Sequence, residues 1–477
     1  MACTLAELMA GKPDPVAISA ANVWKARERA GDTTVYVVLD DDPTGTQSVA
    51  DLPVLTHWEV EDFRWAFATG KPAVYVMTNS RSLAPADAQR VNREVVAAAT
   101  KAAGDETPVA FISRSDSTLR GHFPLEPDTI ADELERAGRP VDGIVIVPAF
   151  GEAGRITVDG THYAGSADEG YLPVGETQFA RDATFSYEAS YLPNWVAEKT
   201  GGKITADKVL VVDLATLRTD REATVAILRK AAHRQPIVVD IVDETDLRLL
   251  SLALIEAETA GSSFVYRVGP PFVRGRIGQP VPSPVALDAV RASRGEREVA
   301  PGGLVVVGSH VDLTTRQLNC LRERNHPVEL EIEVQKVIDP TQRDAHVETL
   351  ATEAAEQLSR GNVVVRTSRT LVTGADGDQS LEISRRVSAA VVEVVQRILA
   401  QHAPRFVVAK GGITSSDVAT HGLGFRRAQV VGPMLPGIVS LWSGQDGPAA
   451  GIPYVVFAGN VGGPESLADV VDKLTEA

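Results

Sequence analysis

The chain has 477 residues, 44% of them hydrophobic, so it can bury a large core and form two or three domains. Its formal net charge of −16 argues against nucleic acid as a partner, because binding to a phosphate backbone needs clustered Lys and Arg. The two cysteines, Cys3 and Cys320, are far apart in the sequence and fit a reducing cytoplasm better than a disulfide framework or a structural zinc site.

No stretch approaches the roughly 18 apolar residues of a membrane span, and residues 1–12 lack the pattern of a signal peptide. We therefore expect a cytoplasmic protein with no membrane partner. Residues 1–30 are expected to form an N-terminal helical extension. A homo-oligomer is compatible with all of these features.

Short apolar runs alternate with amphipathic helical patterns along the first part of the chain. Helices are predicted at 85–103 and 220–233. Buried strands are predicted at 33–39, 73–77, 108–112, 143–147, 209–212 and 237–242. This alternation is typical of a parallel sheet, in which ligands bind at the carboxyl ends of the strands.

Residues 271–302 are rich in Gly and Pro and then charged, a composition that favours an interdomain connection. The strand and helix alternation restarts beyond it. Strands are predicted at 304–308, 328–334, 363–367, 406–409 and 454–458, and helices at 313–324, 345–360 and 381–401. We therefore predict an α/β protein with two α/β domains, 31–270 and 303–477, whose mainly parallel sheets face an interdomain cleft.

The acidic turn after the first predicted strand is the most informative stretch of the chain. Asp40, Asp41 and Asp42 are followed at once by a tight turn of Pro43, Thr44 and Gly45. Such a cluster is costly unless solvent, a cation or a polar ligand compensates its charge. The turn is therefore a candidate site, and the alternative is a solvated acidic turn.

A second polar loop, residues 113–121, follows the strand predicted at 108–112. It contains Arg114, Asp116, Ser117, Thr118 and Arg120. Arginines offer forked donors to carboxylates, while Asp and hydroxyl groups suit the alcohols of a polyol. This mixture fits a hydroxy acid as ligand, and the alternative is a surface loop with an internal Arg–Asp pair.

A third loop, residues 147–163, contains Arg155, which can reach an anion, and His162. We expect His162 to be packed or hydrogen-bonded rather than to act as a base. No His, Cys or Asp cluster has the spacing of metal ligands.

In the second half, residues 307–310 and 409–417 each join a strand to a helix through small residues, and Gly459 lies in a third glycine turn. Main-chain N–H groups and hydroxyls at such turns can cradle phosphate, so these turns are candidates for nucleotide binding. Neither a P-loop nor a dinucleotide-binding fingerprint is present, and the alternative for each is a simple turn.

Five motifs, in order along the chain from about residue 33 to the C-terminus, resemble the four-carbon acid sugar kinase family. They are Asp41-Asp42 with Thr44-Gly45, residues 116–121, residues 148–150 with 153–155, residues 411–415, and residues 458–460. The resemblance implies an ATP-dependent kinase for threonate-, erythronate- or oxo-tetronate-like acids. It also implies an N-terminal sugar-acid domain and a C-terminal nucleotide domain.

The resemblance also assigns residues. Its nucleotide contacts are Ser309, Gly411, Gly412, Ile413, Thr414, Ser415 and Gly459. Its sugar-acid contacts are Asp41, Asp42, Arg114, Asp116, Ser117, Arg120 and Arg155, with Asp42 and Asp116 as the catalytic candidates. The chain departs from the family at Pro43, Thr46 and Lys410, and we expect the Thr46 hydroxyl to lie in the sugar pocket.

These assignments predict phosphoryl transfer from ATP to a hydroxyl of a small sugar acid. Arg114, Arg120 or Arg155 would hold the substrate carboxylate, and Asp41, Asp42 or Asp116 would accept the hydroxyl proton. Mg²⁺ is expected on the phosphates, with a carboxylate from Asp40 to Asp42 holding it through water. The alternatives are a dehydrogenase or aldolase for a related hydroxy acid, and a non-catalytic sugar-acid sensor.

Overall fold

The computed structural model describes residues 2–295, 297–369, 372 and 377–477. The chain divides into two compact units. The first unit comprises Met1–Gly45 and Trp58–Val281, and the second comprises Thr46–His57 and Pro282–Ala477.

Strands occur throughout both units. In chain order they are Val35–Asp40 (β1), Leu52–Leu55 (β2), Ala73–Met77 (β3), Val109–Arg114 (β4), Gly143–Val147 (β5), Arg155–Val158 (β6), Thr161–Ser166 (β7), Gly170–Pro173 (β8), Leu210–Val212 (β9), Gln235–Val239 (β10), Phe264–Val268 (β11), Leu304–Val307 (β12), Val328–Ile332 (β13), Val363–Thr367 (β14), Val407–Lys410 (β15), Arg427–Leu435 (β16), Ile438–Gly444 (β17) and Pro453–Phe457 (β18).

Helices connect most of these strands. They are Leu5–Leu8 (α1), Ala20–Ala30 (α2), Val60–Ala68 (α3), Pro85–Ala103 (α4), Leu125–Arg136 (α5), Leu192–Lys199 (α6), Leu214–Thr219 (α7), Arg221–Lys230 (α8), Glu244–Thr259 (α9), Pro271–Ile277 (α10), Leu287–Ala292 (α11), Asp312–Asn325 (α12), Val334–Ile338 (α13), Arg343–Leu358 (α14), Gly377–Gln401 (α15), Gly412–Asp417 (α16) and Ser466–Glu476 (α17).

The main sheet of the first unit has the order β3-β1-β4-β11-β5-β10-β9, and every neighbouring pair is parallel. Its central strands are apolar and buried because helices cover both faces of such a sheet. All carboxyl ends of these strands therefore lie along one edge. The α/β class and the mainly parallel sheets are confirmed.

The sheet contains a strand that the sequence pattern did not identify. β11 lies in the middle of the sheet, between β4 and β5, although its run Phe264–Val268 was not predicted to be a strand. A second, antiparallel sheet of β6, β7 and β8 was also missed. It forms the segment that carries Arg155 and His162.

The second unit has a sheet of the order β13-β14-β12-β15-β18-β17-β16-β2. The first five strands in this order, β13, β14, β12, β15 and β18, are parallel to one another. The remaining strands, β17, β16 and β2, each pair with their neighbours in antiparallel fashion. The turns after β12, β15 and β18 therefore share one edge. The hairpin β16–β17 was not predicted, although the pair Pro436-Gly437 between two apolar runs is a turn signal.

The first thirty residues contain α1 and α2, and Val23 of α2 packs on Leu252 and Ile255 of α9. In the stretch where composition indicates a connection, Pro271–Ile277 forms the buried helix α10 within the first unit. In the described residues, no helix is both long enough and apolar enough to cross a membrane.

Candidate functional site

The carboxyl edge of the first sheet joins the acidic turn to Arg114. Asp40 ends β1 and Arg114 ends β4, and the two residues are partners in the parallel register. The Arg114 guanidinium donates from Nε to the Asp40 carboxylate and from Nη2 to the Asp42 carbonyl, and Nη2 lies 3.5 Å from Asp41 Oδ1. Adjacent parallel strands thus bring together groups that are 74 positions apart in the sequence.

Arg81 is a second cation at this turn, and the sequence analysis did not assign it. Its Nη2 and Nε donate to the two carboxylate oxygens of Asp41 at 2.6 and 3.1 Å, and its Nη1 lies 3.6 Å from Asp42 Oδ2. This forked geometry is the strongest form of Arg–carboxylate contact. The available signal was position, because Arg81 lies four residues after the end of the correctly predicted strand β3.

The carboxylates of the turn differ in exposure and in pKa. Burial raises the pKa of Asp40 to about 7, with Arg114 opposing the rise. Burial also acts to raise the pKa of Asp42, but Arg81 and Arg114 outweigh it and hold that pKa below its ordinary value. The Asp42 side chain is 24% exposed, against 2% for Asp41, so Asp42 is the better placed of these two to meet a ligand.

The next loop holds an ionised Asp116. Arg120 Nε donates to Asp116 Oδ2 at 2.6 Å, and Thr118 Oγ1 donates to the same oxygen. Burial acts to raise the pKa of Asp116, but Arg81, Arg120 and these hydrogen bonds outweigh it and hold the pKa well below its ordinary value. Asp116 therefore carries a full negative charge at neutral pH.

Arg155 differs from the other arginines of the site. It begins β6, donates from Nη1 to the Ala153 carbonyl, and forms no ion pair with any described carboxylate. Its guanidinium lies 5.4 Å from the centroid of the Phe179 ring, and that of Arg120 lies 5.6 Å from the same centroid. Burial lowers the pKa of Arg155, and Asp116 partly opposes this. The Arg155 guanidinium thus keeps donors for an anionic ligand.

His162 has a structural role, as the sequence indicated. Its ring is buried, with Nδ1 2.9 Å from Thr157 Oγ1 and Nε2 2.8 Å from the Ser117 carbonyl oxygen. Burial lowers the pKa of His162 to about 4, so it is neutral at pH 7. Through this contact it positions Ser117, which is itself buried.

Two further groups at this edge were missed by the sequence analysis, Arg267 and Glu126. Arg267 lies on β11, the strand that was not predicted, with Nη1 3.8 Å from Glu126 Oε2. A Cβ on Gly121 would lie 2.9 Å from Arg267 Nη2 and 3.0 Å from Asp41 Oδ2, and φ there is +117°. A glycine at 121 is therefore required for this close approach.

The five carboxylates described above at this edge each have an arginine beside them. The pairs are Asp40–Arg114, Asp41–Arg81, Asp42–Arg81, Asp116–Arg120 and Glu126–Arg267. Among the described residues, no group of three or more His, Cys, Asp or Glu is arranged to hold a metal ion. Asp40, Asp41 and Asp42 therefore do not fit a Mg²⁺ ion in this arrangement, because their charge is already compensated.

A cavity of about 420 Å³ also opens in the first unit, but it lies at the opposite edge of the sheet. It is lined by Thr34, Pro108, Ser263 and Arg139, at the amino ends of β1, β4 and β11. None of the predicted sugar-acid residues lines it.

In the second unit, the turns after β12 and β15 are joined by main-chain bonds. The N–H groups of Gly308 and Ser309 donate to the Lys410 carbonyl oxygen at 3.2 and 3.3 Å. A Cβ on Gly308 would meet the Thr414 hydroxyl. Gly411 has a φ of +128°, and a Cβ on it would lie 3.3 Å from the Ser309 nitrogen. These glycines allow the two turns and the Thr414 side chain to pack closely against one another.

The turn after β18 joins the same group. Thr314 Oγ1 donates to the Gly459 carbonyl oxygen at 3.0 Å and lies 3.2 Å from Ser309 Oγ. A Cβ on Gly459 would meet the Ser309 hydroxyl. The three glycine turns thus lie packed together at one edge of the sheet, and we call this group the cradle; glycine turns are the usual material of phosphate sites.

The remaining predicted nucleotide residues lie on α16 in different settings. Gly412 begins the helix, and Ile413 is 66% exposed. Ser415 is buried, and its hydroxyl donates to the Ala409 carbonyl oxygen at 2.9 Å. A cavity of about 240 Å³ adjoins the cradle, with Gly308, Thr414, Ile413, Val387 and Asp417 in its wall.

The expectation that the Thr46 hydroxyl lies in the sugar pocket is wrong. Thr46 belongs to the second unit, where it is buried. Its Oγ1 accepts from Trp442 Nε1 at 3.0 Å and donates to Ser440 Oγ at 3.0 Å. The chain leaves the first unit directly after Gly45, and the sequence pattern gave no sign of that crossing.

Comparison with known proteins matches two family models, one after the other along the chain. Residues 36–276 match the family model of a sugar-binding N-terminal domain, and residues 304–467 match that of a nucleotide-binding C-terminal domain. The chain is 29% identical over 297 residues to a D-erythronate kinase of Heliobacterium modesticaldum, covering 62% of this chain and 60% of that protein. It is 25% identical over 277 residues to a 3-oxo-isoapionate kinase of Paraburkholderia graminis, covering 54% of this chain and 56% of that protein. These matches span little more than half the length of each relative.

Two solved structures share the fold. A Salmonella typhimurium LT2 protein called a tRNA synthase aligns with a TM-score of 0.67 at 19% identity, and covers 91% of this chain and 98% of its own. A Haemophilus influenzae protein of the DUF1537 family aligns with a TM-score of 0.60 at 18% identity, with the same coverage. At these identities the likeness concerns the fold alone. With both family models matched in order over most of its length, the chain belongs to the four-carbon acid sugar kinase family, as its motifs predicted.

Proposed function

We propose that this protein transfers the terminal phosphoryl group of ATP to a hydroxyl of a small sugar acid of the threonate, erythronate or oxo-tetronate type. The observation that carries the proposal is the edge of the first sheet. There the Arg155 guanidinium, which pairs with no described carboxylate, lies near the ionised Asp116. A hydroxy acid requires a hydrogen-bond donor for its carboxylate and, beside it, an acceptor for the proton of its reacting hydroxyl.

The substrate carboxylate is then bound by Arg155. Arg114 and Arg120, the other two candidates, are already paired with Asp40 and Asp116 and serve to fix those carboxylates. Asp116, or Asp42 in the neighbouring turn, orients the reacting hydroxyl and accepts its proton. Since both are held ionised, they act by position and charge rather than by a pKa tuned near 7.

The nucleotide is bound by the glycine cradle of the second unit. Gly308, Gly411 and Gly459 let the phosphates approach the turns closely, the hydroxyls of Ser309 and Thr414 can bond to them, and the adjoining cavity offers apolar side chains to the base. ATP supplies the activated phosphoryl group. Mg²⁺ would arrive bound to the phosphates, because the carboxylates of Asp40, Asp41 and Asp42 are already paired with arginine.

The test is an ADP-release screen of the purified protein with ATP, MgCl₂ and a panel of C3 to C6 aldonic and oxo-aldonic acids. Turnover with a four-carbon acid is expected. Stabilisation by NAD but not by ADP in thermal unfolding would favour a dehydrogenase instead. Binding of an acid without ADP release would favour a sensor.

Arg155 gives the sharper test. We expect Arg155→Gln to raise the KM for the acid by about ten- to a hundredfold, since a charge-assisted bond to a partly buried guanidinium contributes roughly 1.5–3 kcal/mol. The affinity for ADP should not change. The matched control is Arg136→Gln on α5, an arginine with a half-exposed side chain that pairs with Glu133. An unchanged KM in Arg155→Gln would remove this residue from the substrate site.

A further inference from the structure

Lys410 is a buried lysine, and no carboxylate among the described residues pairs with it. It ends β15 and is fully buried, which is rare for lysine unless its charge is paired. Its Nζ donates to the Ala458 carbonyl oxygen at 2.6 Å and lies 3.8 Å from the centroid of the Phe457 ring. Burial alone lowers the pKa of Lys410 to about 7.

The position of Lys410 links it to all parts of the cradle. Its carbonyl oxygen accepts from Gly308 and Ser309, it directly precedes Gly411, and its side chain is bonded to the residue before Gly459. The cradle and Lys410 therefore share the same three strand ends, those of β12, β15 and β18.

The charged and titratable groups on the neighbouring elements do not neutralise Lys410. Asp417 on α16 accepts from the Ser388 hydroxyl. Arg369, beyond β14, donates to the Ser309 carbonyl and to Thr315. His310 follows β12 and, like Arg369, carries no negative charge, and no carboxylate in the described part of the chain forms an ion pair with Lys410. An anion in the cradle would be the missing counter-charge.

We propose that Lys410 is a positioning residue for the nucleotide, whose phosphates supply the counter-charge of its buried ammonium, so that nucleotide binding draws a proton from solvent onto Lys410. The inference rests on the proposed function, because it needs a nucleotide in the cradle. The neutral amine of Lys410 takes one proton from the buffer, and no covalent bond of the nucleotide changes. The negative phosphates raise the pKa of the amine, so uptake occurs above about pH 7.

The experiment is calorimetric titration of the whole protein with ADP and MgCl₂ at about pH 8.5, where the terminal phosphate of ADP is fully ionised. Comparing two buffers with different ionisation enthalpies gives the number of protons exchanged. We expect the wild type to take up close to one proton per ADP, and its affinity to fall as the pH rises from about 7.5 to 9. Lys410→Met should show no uptake and at least tenfold weaker binding.

The matched control is Lys473→Met on α17, a lysine of the same unit whose pKa is also lowered by burial but which lies two helical turns beyond Ser466. It should take up protons as the wild type does. ADP binding by the wild type without proton uptake overturns the proposal for Lys410 alone, even if Lys410→Met does not fold. Equal uptake in Lys410→Met and wild type overturns it too. Failure of the wild type to bind ADP overturns the nucleotide site, and this proposal with it.

Discussion

The two candidate sites are built from different materials. At the edge of the first sheet, arginine and carboxylate side chains are paired with one another, and Arg155 is left with donors to offer. In the second unit, the cradle consists of three glycine turns and the hydroxyls of Ser309, Thr314 and Thr414, beside the buried Lys410. Side chains of this kind suit recognition of the individual groups of a small acid. Glycine turns suit the close approach of a phosphate, whatever molecule it belongs to.

This difference predicts two kinds of sensitivity. A site of paired charges should fail when one side chain loses its charge, because its partner is left buried and uncompensated. A glycine cradle should fail when a single methyl group enters it. Variants in each unit can therefore separate the effects on the acid from the effects on the nucleotide.

The largest effect is expected from Asp116→Asn. The change removes the negative charge beside Arg155, and with it the group that orients the hydroxyl and accepts its proton. We expect kcat with the best acid to fall by about a thousandfold, in the usual range for loss of a general base. The affinity for ADP serves as the control and should stay within a factor of two. A kcat near that of the wild type would show that Asp116 neither orients the reacting hydroxyl nor accepts its proton.

The scaffold of the first site should be sensitive to acid through His162. Its pKa is about 4 in the folded protein and near 6.5 when unfolded, so the unfolded chain binds the proton first as the pH falls. Stability is then lost as the pH falls from about 6.5 to 4, by up to about 3 kcal/mol in the free energy of unfolding. His162→Gln, which does not titrate, should lack this loss.

Urea unfolding of both proteins at about pH 8 and about pH 4.5 measures this effect. At the higher pH the imidazole is neutral in both states, so the difference between the proteins reports the loss of the hydrogen bonds to Thr157 and Ser117 alone. The same acid sensitivity in His162→Gln as in wild type would assign it to other groups.

Gly459→Ala tests the second site. Its Cβ would meet the Ser309 hydroxyl, so Ser309 must move from its place beside Thr314. We expect the affinity for ADP to fall by ten- to a hundredfold, about 1.4–2.8 kcal/mol. The KM for the acid should change little when ATP is saturating. Gly463→Ala, in the same turn, is the control because a Cβ there has no neighbour within 4 Å.

The sequence allowed the architecture and the three polar loops of the first site to be predicted, because both follow from local patterns. Runs 73–77, 143–147 and 363–367 coincide with β3, β5 and β14, since buried parallel strands are short apolar runs with sharp polar ends. Arg114 and Asp116 were identified because they lie within four residues of the end of the strand predicted at 108–112. Position at a strand end was thus sufficient to predict these loops.

What could not be predicted depends on contacts between distant segments. Arg267 was missed because β11 inserts between β4 and β5, and nothing local in its run shows where a strand enters a sheet. Equally, the sequence could not choose among Arg114, Arg120 and Arg155. The choice depends on which guanidinium is already paired, and the carboxylate partner of Arg114 lies on another strand.

The smallest effect should come from Thr46→Val, and it tests where the first site ends. Thr46 bonds to Trp442 and Ser440, so its loss should lower the free energy of unfolding by about 1 kcal/mol, with the KM for the acid unchanged. The comparison is Thr44→Val, two residues earlier, where the hydroxyl and N–H of Thr44 both bond to Asp42 Oδ1. Removing that hydroxyl should weaken the hold on Asp42 and lower kcat by a few-fold. If Thr46→Val instead changed the KM for the acid, the hydroxyl of Thr46 would act on substrate, and the boundary of the first unit at Gly45 would not be the boundary of its site.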